Sequence, residues 1–140
     1  MATPLALVGG SVGTMAVLMA YGRSIRGVAE ARKKHKVEPP STEGPPEFQR
    51  ALRAQQNTLE FLPLIVPLVW MCATLLPVAG PLAAVVGGAL WGLFRKQYIE
   101  GYLEAADKRR PGFHRSLIVA YALMVVTLVG LLFQLALVFE

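Results

Sequence analysis

Three long stretches of this chain carry no charged side chain: residues 1–22, 61–94 and 116–139. Polar and charged residues gather between them, in blocks at 23–60 and 95–115. A helix that spans a bilayer needs roughly 20 mostly apolar residues. The first and last stretches therefore each predict one span. The middle stretch has 34 residues. As one helix it would run about 50 Å, against a hydrocarbon core of ~30 Å. Near its centre lies Pro77-Val78-Ala79-Gly80-Pro81, a strong turn signal, which divides it into a hairpin of two spans. The pattern predicts an all-α membrane protein, a four-transmembrane-helix bundle in a single domain over 1–140. Its helices fall at about 4–26, 47–76, 81–107 and 113–138, with a polar loop at about 27–46. The first stretch lacks the Lys or Arg that opens a secretory signal, so it reads as a span rather than a leader.

Composition agrees with the pattern. The chain is 54% apolar and 16% charged, where soluble domains average ~45–50% and ~25%. Its net charge of +5 would suit a polyanion partner, but the placement of the charges argues otherwise. All 14 Lys and Arg lie at 23–53 or 95–115, and eight of the nine acids, all but Glu140, lie beside them at 30–60 or 100–107. With four spans, both basic regions emerge on one side. The positive-inside rule makes that side cytosolic and puts both termini opposite. The charge thus orients the bundle, and no nucleic acid is expected as a partner. Cys72 is the single cysteine and there are two histidines, His35 and His114, too few for a disulfide or a zinc cluster. No metal is expected. Cys72 reads as a buried apolar residue, and Pro63 and Pro67 as kinks in the second helix.

The polar residues at the helix ends do not fit a bland bundle. Arg53, Asn57 and Glu60 are spaced i, i+4, i+7 and share one helix face, while Gln55 points away from it. Arg95, Tyr98 and Tyr102 share a face of the third helix, and Arg109 joins them if that helix continues far enough. Each residue alone is explained by the membrane interface: Arg snorkels, Tyr joins the aromatic belt, Glu60 pairs with Arg53. Together they describe a polar pocket for a small zwitterion or anion. Arg grips a carboxylate bidentately, Glu or Gln receives an ammonium, and Tyr hydroxyls donate hydrogen bonds.

The segment from Pro45 to Pro63, PPEFQRALRAQQNTLEFLP, resembles the signature of the MAPEG family, the membrane-associated proteins in eicosanoid and glutathione metabolism. Its run RAQQNTLE at 53–60 is similar to the microsomal glutathione transferase branch. The upstream basic loop, with Pro39-Pro40 and Gly44-Pro45-Pro46, is similar to the leukotriene C synthase branch. A second match is RKQYIEGY at 95–102, followed by KRRPGF at 108–113. The resemblance implies a homotrimer of left-handed four-helix bundles with glutathione between neighbouring subunits on the cytosolic side. It implies that Arg53, Asn57, Glu60, Tyr98 and Tyr102 hold glutathione, with Arg32 and Gln55 reaching it from the adjacent subunit. Arg109 matches the arginine that stabilises the thiolate. Lys33 stands where leukotriene C synthase has an arginine proposed as proton donor, and Phe61 stands where it has a tyrosine. Both departures count against leukotriene C synthesis specifically.

The expected function is therefore a membrane-bound glutathione transferase acting on lipophilic electrophiles, with glutathione as co-substrate and reduction of lipid hydroperoxides as a second activity. The membrane would be the endoplasmic reticulum in a eukaryote and the inner membrane in a bacterium. A non-catalytic lipid-binding scaffold of the same family is the alternative, but that scaffold lacks the arginine matched by Arg109. A small multidrug exporter would want a carboxylate in its first span, where residues 1–22 carry none.

Overall fold

A computed structural model of the chain describes residues 3–139. They form four helices: α1 (Pro4–His35), α2 (Pro46–Leu75), α3 (Ala79–Glu104) and α4 (Arg110–Val138). No strand occurs among the described residues. The hairpin turn falls where the Pro-Gly-Pro cluster predicts it, between Leu75 and Ala79.

Local chemistry explains the helix ends. At α1 the Thr3 hydroxyl accepts the Ala6 N–H at 3.2 Å and Pro4 opens the helix, satisfying groups that have no partner within the helix. At α2 a proline again comes first and Glu47 follows in the first turn, where a negative charge favours the helix dipole. Pro63 and Pro67 lie inside α2 without ending it.

One boundary differs clearly from the pattern. α1 does not stop near residue 26 but runs to His35, so the expected loop at 27–46 shrinks to 36–45. Residues 27–35 are rich in Ala, Glu, Lys and Arg, which favour helix without being apolar. The helix therefore outlasts the hydrophobic signal. It closes at Lys36, in the left-handed conformation at φ 53°, whose N–H returns to the Arg32 carbonyl. α3 ends at Glu104 rather than 107, and α4 starts at Arg110 rather than 113.

α1, α2 and α4 are long and apolar enough to cross a membrane by length and composition. α3 falls below that mark because Gly80, Pro81, Gly87, Gly88, Gly92 and Arg95 dilute it. Those small residues suit its position, since α3 packs against all three other helices. α1 and α4 each pack on the central α2–α3 pair and do not touch one another.

The buried positions show how the bundle is held. In α1 they are Ala6, Gly9, Gly10, Gly13, Val17, Ala20 and Ser24. In α3 they include Ala84, Gly88, Trp91, Arg95 and Tyr98. Steps of three and four keep one seam facing a partner, as in coiled-coil packing. α1 and α3 approach backbone to backbone: a Cβ on Gly88 would strike Gly13, and one on Gly13 would strike Ala84. Val17, Ile65, Val69, Cys72, Ala84 and Trp91 form the apolar centre. Leu5, Met15 and Met19 on α1, and Val125, Leu128 and Leu132 on α4, face outward, the apolar girdle that lipid would cover.

Candidate functional site

At the basic end of the bundle, α2, α3 and the start of α4 enclose a cavity of about 360 Å³. Its walls are Arg53 and Asn57 from α2, Tyr98 and Tyr102 from α3, and Arg109, Arg110, Phe113 and His114 from the following turn and α4. The volume suits a small molecule. Each pair of side chains is placed by the helical period: four residues advance ~400°, close to one full turn. Tyr98 and Tyr102 pack against each other with tilted rings, centroids 5.8 Å apart.

Arg109 reaches this place by a different route from the one the helical pattern suggests. α3 does not carry it. The helix ends at Glu104, and the Ala105 N–H bonds back to the Gly101 carbonyl at 3.0 Å. A turn follows, with Lys108 N–H to Ala105 O at 3.2 Å and Arg110 N–H to Asp107 O at 3.2 Å. This turn folds the chain back, and the Arg109 guanidinium lies 4.6 Å from the Tyr102 ring centre. Gly112 lets α4 close on α3 here, since a Cβ would strike the Tyr98 backbone.

Glu60 is linked to the cavity through Asn57, whose Nδ2 donates to Glu60 Oε2 at 3.2 Å. Arg53 does not pair with Glu60; it donates to Gln56 Oε1 at 3.0 Å. Arg32 and Gln55 are elsewhere. They line a second cavity of about 240 Å³ with Ile25, Val28 and Ala29, between α1 and α2. Gln55 donates to the Tyr21 hydroxyl at 3.3 Å. Arg32 Nη1 donates to the Ser41 carbonyl at 2.8 Å, and its guanidinium sits 5.0 Å from the Phe48 ring centre. Gln55 sits ~200° around α2 from Arg53, so the two cavities occupy opposite flanks of that helix. Lys33, on the last turn of α1, is exposed and is not among the residues around Arg109.

The sequence pattern gave Arg95 a face but no role. It is wholly buried, donates from Nη1 to Asn57 Oδ1 at 2.8 Å, and leaves Nε and Nη2 unpartnered. Its sequence signals were a face shared with Tyr98 and Tyr102 and a place at the edge of an apolar stretch. Arg110 and His114 were likewise not foreseen as cavity residues; their i, i+4 spacing at the start of α4 was the available sign. Cys72 is buried in the core, donating to the Leu123 carbonyl at 3.3 Å and lying 3.2 Å from the Thr127 hydroxyl.

A cavity lined by arginines, tyrosines and an asparagine has the chemistry to hold an anion or a zwitterion. Arginines supply fixed positive charge and paired N–H donors, the tyrosines supply hydroxyls, and Glu60 supplies a neighbouring carboxylate.

Comparison with known proteins agrees with this reading of the fold. The chain is 42% identical over 103 residues to mouse microsomal glutathione S-transferase 2, covering 74% of this chain and 68% of that one. It is 33% identical over 122 residues to bovine leukotriene C4 synthase, covering 87% and 79%. An uncharacterised Synechocystis protein is 38% identical over 122 residues, 87% of each chain. Residues 2–137 match the MAPEG family; the chain belongs to that family.

Proposed function

We propose that this protein is a membrane-bound glutathione transferase that joins the glutathione thiolate to lipophilic electrophiles. The observation that carries the reading is the clustering of Arg53, Asn57, Tyr98, Tyr102 and Arg109 around one cavity, in a chain related to enzymes named for glutathione transfer and leukotriene synthesis. Glutathione offers two carboxylates, an ammonium and a thiol. Arg53 meets a carboxylate, Glu60 the ammonium, and the tyrosines and Asn57 hydrogen-bond the remaining polar atoms.

The nucleophile is the thiolate. A guanidinium beside the sulfur favours the anion by opposite charge and by donating to it, and Arg109 takes this role. The thiol proton leaves to solvent. The sulfur lone pair forms the S–C bond while a leaving group departs or an epoxide C–O bond opens, and an opened alkoxide takes up a proton. Lys33 is proposed as a proton donor to that oxygen. Since it lies away from Arg109 within one chain, it would serve a neighbouring subunit. The same thiolate attacking a hydroperoxide oxygen would give an alcohol and a sulfenate, which a second glutathione converts to disulfide and water.

The two cavities on opposite flanks of α2 support a homotrimer with shared sites: Arg32 and Gln55 of one copy complete the glutathione site of the next. The basic face is cytosolic in this reading. A non-catalytic lipid-binding scaffold has no use for Arg109 at the cavity wall. Purified protein should conjugate glutathione to chlorodinitrobenzene, and turnover no faster than the spontaneous reaction with several electrophiles would sink the enzyme reading.

A further inference from the structure

Arg95 is a charged side chain in an apolar place. It is wholly buried on α3, about one turn before Tyr98 and two before Tyr102, and does not itself line the cavity. Four rings surround its guanidinium, with centres at 4.0 Å (Phe61), 4.9 Å (Tyr98), 5.0 Å (Trp91) and 5.7 Å (Phe113). No carboxylate forms an ion pair with it among the described residues. Burying an unpaired charge is costly, and the aromatic faces offset only part of that cost. Packing alone would be served at least as well by an apolar side chain of similar volume.

What an apolar side chain cannot do is hold the Asn57 amide. A guanidinium only donates hydrogen bonds, and a carboxylate only accepts them. Arg95 Nη1 contacts Asn57 at 2.8 Å, so the atom it meets must be the carbonyl oxygen. Glu60 contacts the other end of the same amide at 3.2 Å, so the atom there must be the nitrogen. Turning the amide over would oppose N–H to N–H at one end and oxygen to oxygen at the other. The chain Arg95–Asn57–Glu60 therefore has one allowed orientation. It leaves one Asn57 N–H unspoken for beside the cavity and holds Glu60 Oε2, freeing Oε1.

We infer that Arg95 is a positioning residue for ligand binding, locking the Asn57 amide and through it the Glu60 carboxylate in the orientation that receives the ammonium-bearing end of glutathione. The inference rests on the glutathione reading above. It separates Arg95 from Arg109, since Arg95 sets how tightly glutathione is held and Arg109 sets how readily its thiol ionises.

The test is a double-mutant cycle on the full-length protein in detergent, with Arg95→Gln, Asn57→Ala and the pair together. Arg95→Gln should raise the glutathione KM tenfold or more and change kcat at saturating glutathione less than threefold. Asn57→Ala should raise that KM to a similar extent. Because one residue acts through the other, the double variant should be no worse than about twofold beyond Asn57→Ala alone. Arg95→Lys keeps one donor for the Asn57 oxygen and should recover part of the lost affinity; it also serves if Arg95→Gln does not fold. Multiplying KM effects in the double variant, or an unchanged KM in both Arg95→Gln and Arg95→Lys, would overturn the inference. Wild-type protein that is not stabilised against heat by glutathione or by S-hexylglutathione would overturn the glutathione reading itself, and this inference with it.

Discussion

A thiol of ordinary pKa near 8.5 is only about 3% ionised at pH 7. Arg109 is held against the Tyr102 ring by the turn after α3, and in the proposed function it raises that fraction. The sign of the effect gives a test. Arg109→Ala should lower the transferase rate severalfold or more at pH 7. The deficit should shrink as pH rises through ~8.5, because the variant's substrate then ionises unaided. A deficit that stays constant with pH would assign Arg109 to binding. At this scale the helical period revealed most of the cluster: Arg53, Asn57 and Glu60 on one face, Tyr98 and Tyr102 on another. It could not reveal how Arg109 arrives, because a turn between two helices has no period to read. Nor could it show that Arg95 meets Asn57, a contact between residues 38 positions apart.

Among the elements, the α1–α3 contact depends on the absence of side chains. Gly88→Ala would place a methyl group against the Gly13 backbone and should cost about 1–3 kcal/mol, as overpacking does. Gly22→Ala provides the contrast, since nothing lies within 4 Å of its Cβ position; it should be neutral or stabilising by up to ~1 kcal/mol. Thermal unfolding in detergent measures both. The loop at 36–45 rests on Arg32, which donates to the carbonyls of Ser41 at 2.8 Å and Val37 at 3.5 Å and stacks on Phe48. Arg32→Ala should therefore speed protease cleavage within that loop by severalfold while leaving α1 intact. Hydrophobic patterning located every helix but placed the end of α1 about nine residues short. Apolar periodicity marks where a helix is buried, and residues 27–35 are helical while none of them is buried.

For the whole molecule, the asymmetry of charge predicts an orientation that cysteine labelling can read. In a Cys72→Ala background, Thr42→Cys in the basic loop and Val78→Cys in the hairpin turn should react with an impermeant maleimide from opposite faces of a sealed membrane. Reaction of both from one face would require α2 not to cross. The membrane character of the bundle was plain from its charge-free stretches. The two separate cavities were less so. Gln55 was seen to point away from Arg53, but its meeting with Arg32 depends on the added turns of α1, which the apolar pattern left out.

That separation has a consequence for inheritance and dosage. Arg53 and Asn57 lie on one flank of α2, Arg32 and Gln55 on the other. In a closed ring of copies each chain would contribute to two sites, its own and a neighbour's. A single chain damaged on both flanks would then silence two sites while occupying one place. With half the chains damaged and random assembly, roughly a quarter of the sites would survive in such a ring. A lesion of this kind would behave as partly dominant, and co-expressing normal and doubly damaged chains would lower activity further than the share of damaged chains alone accounts for.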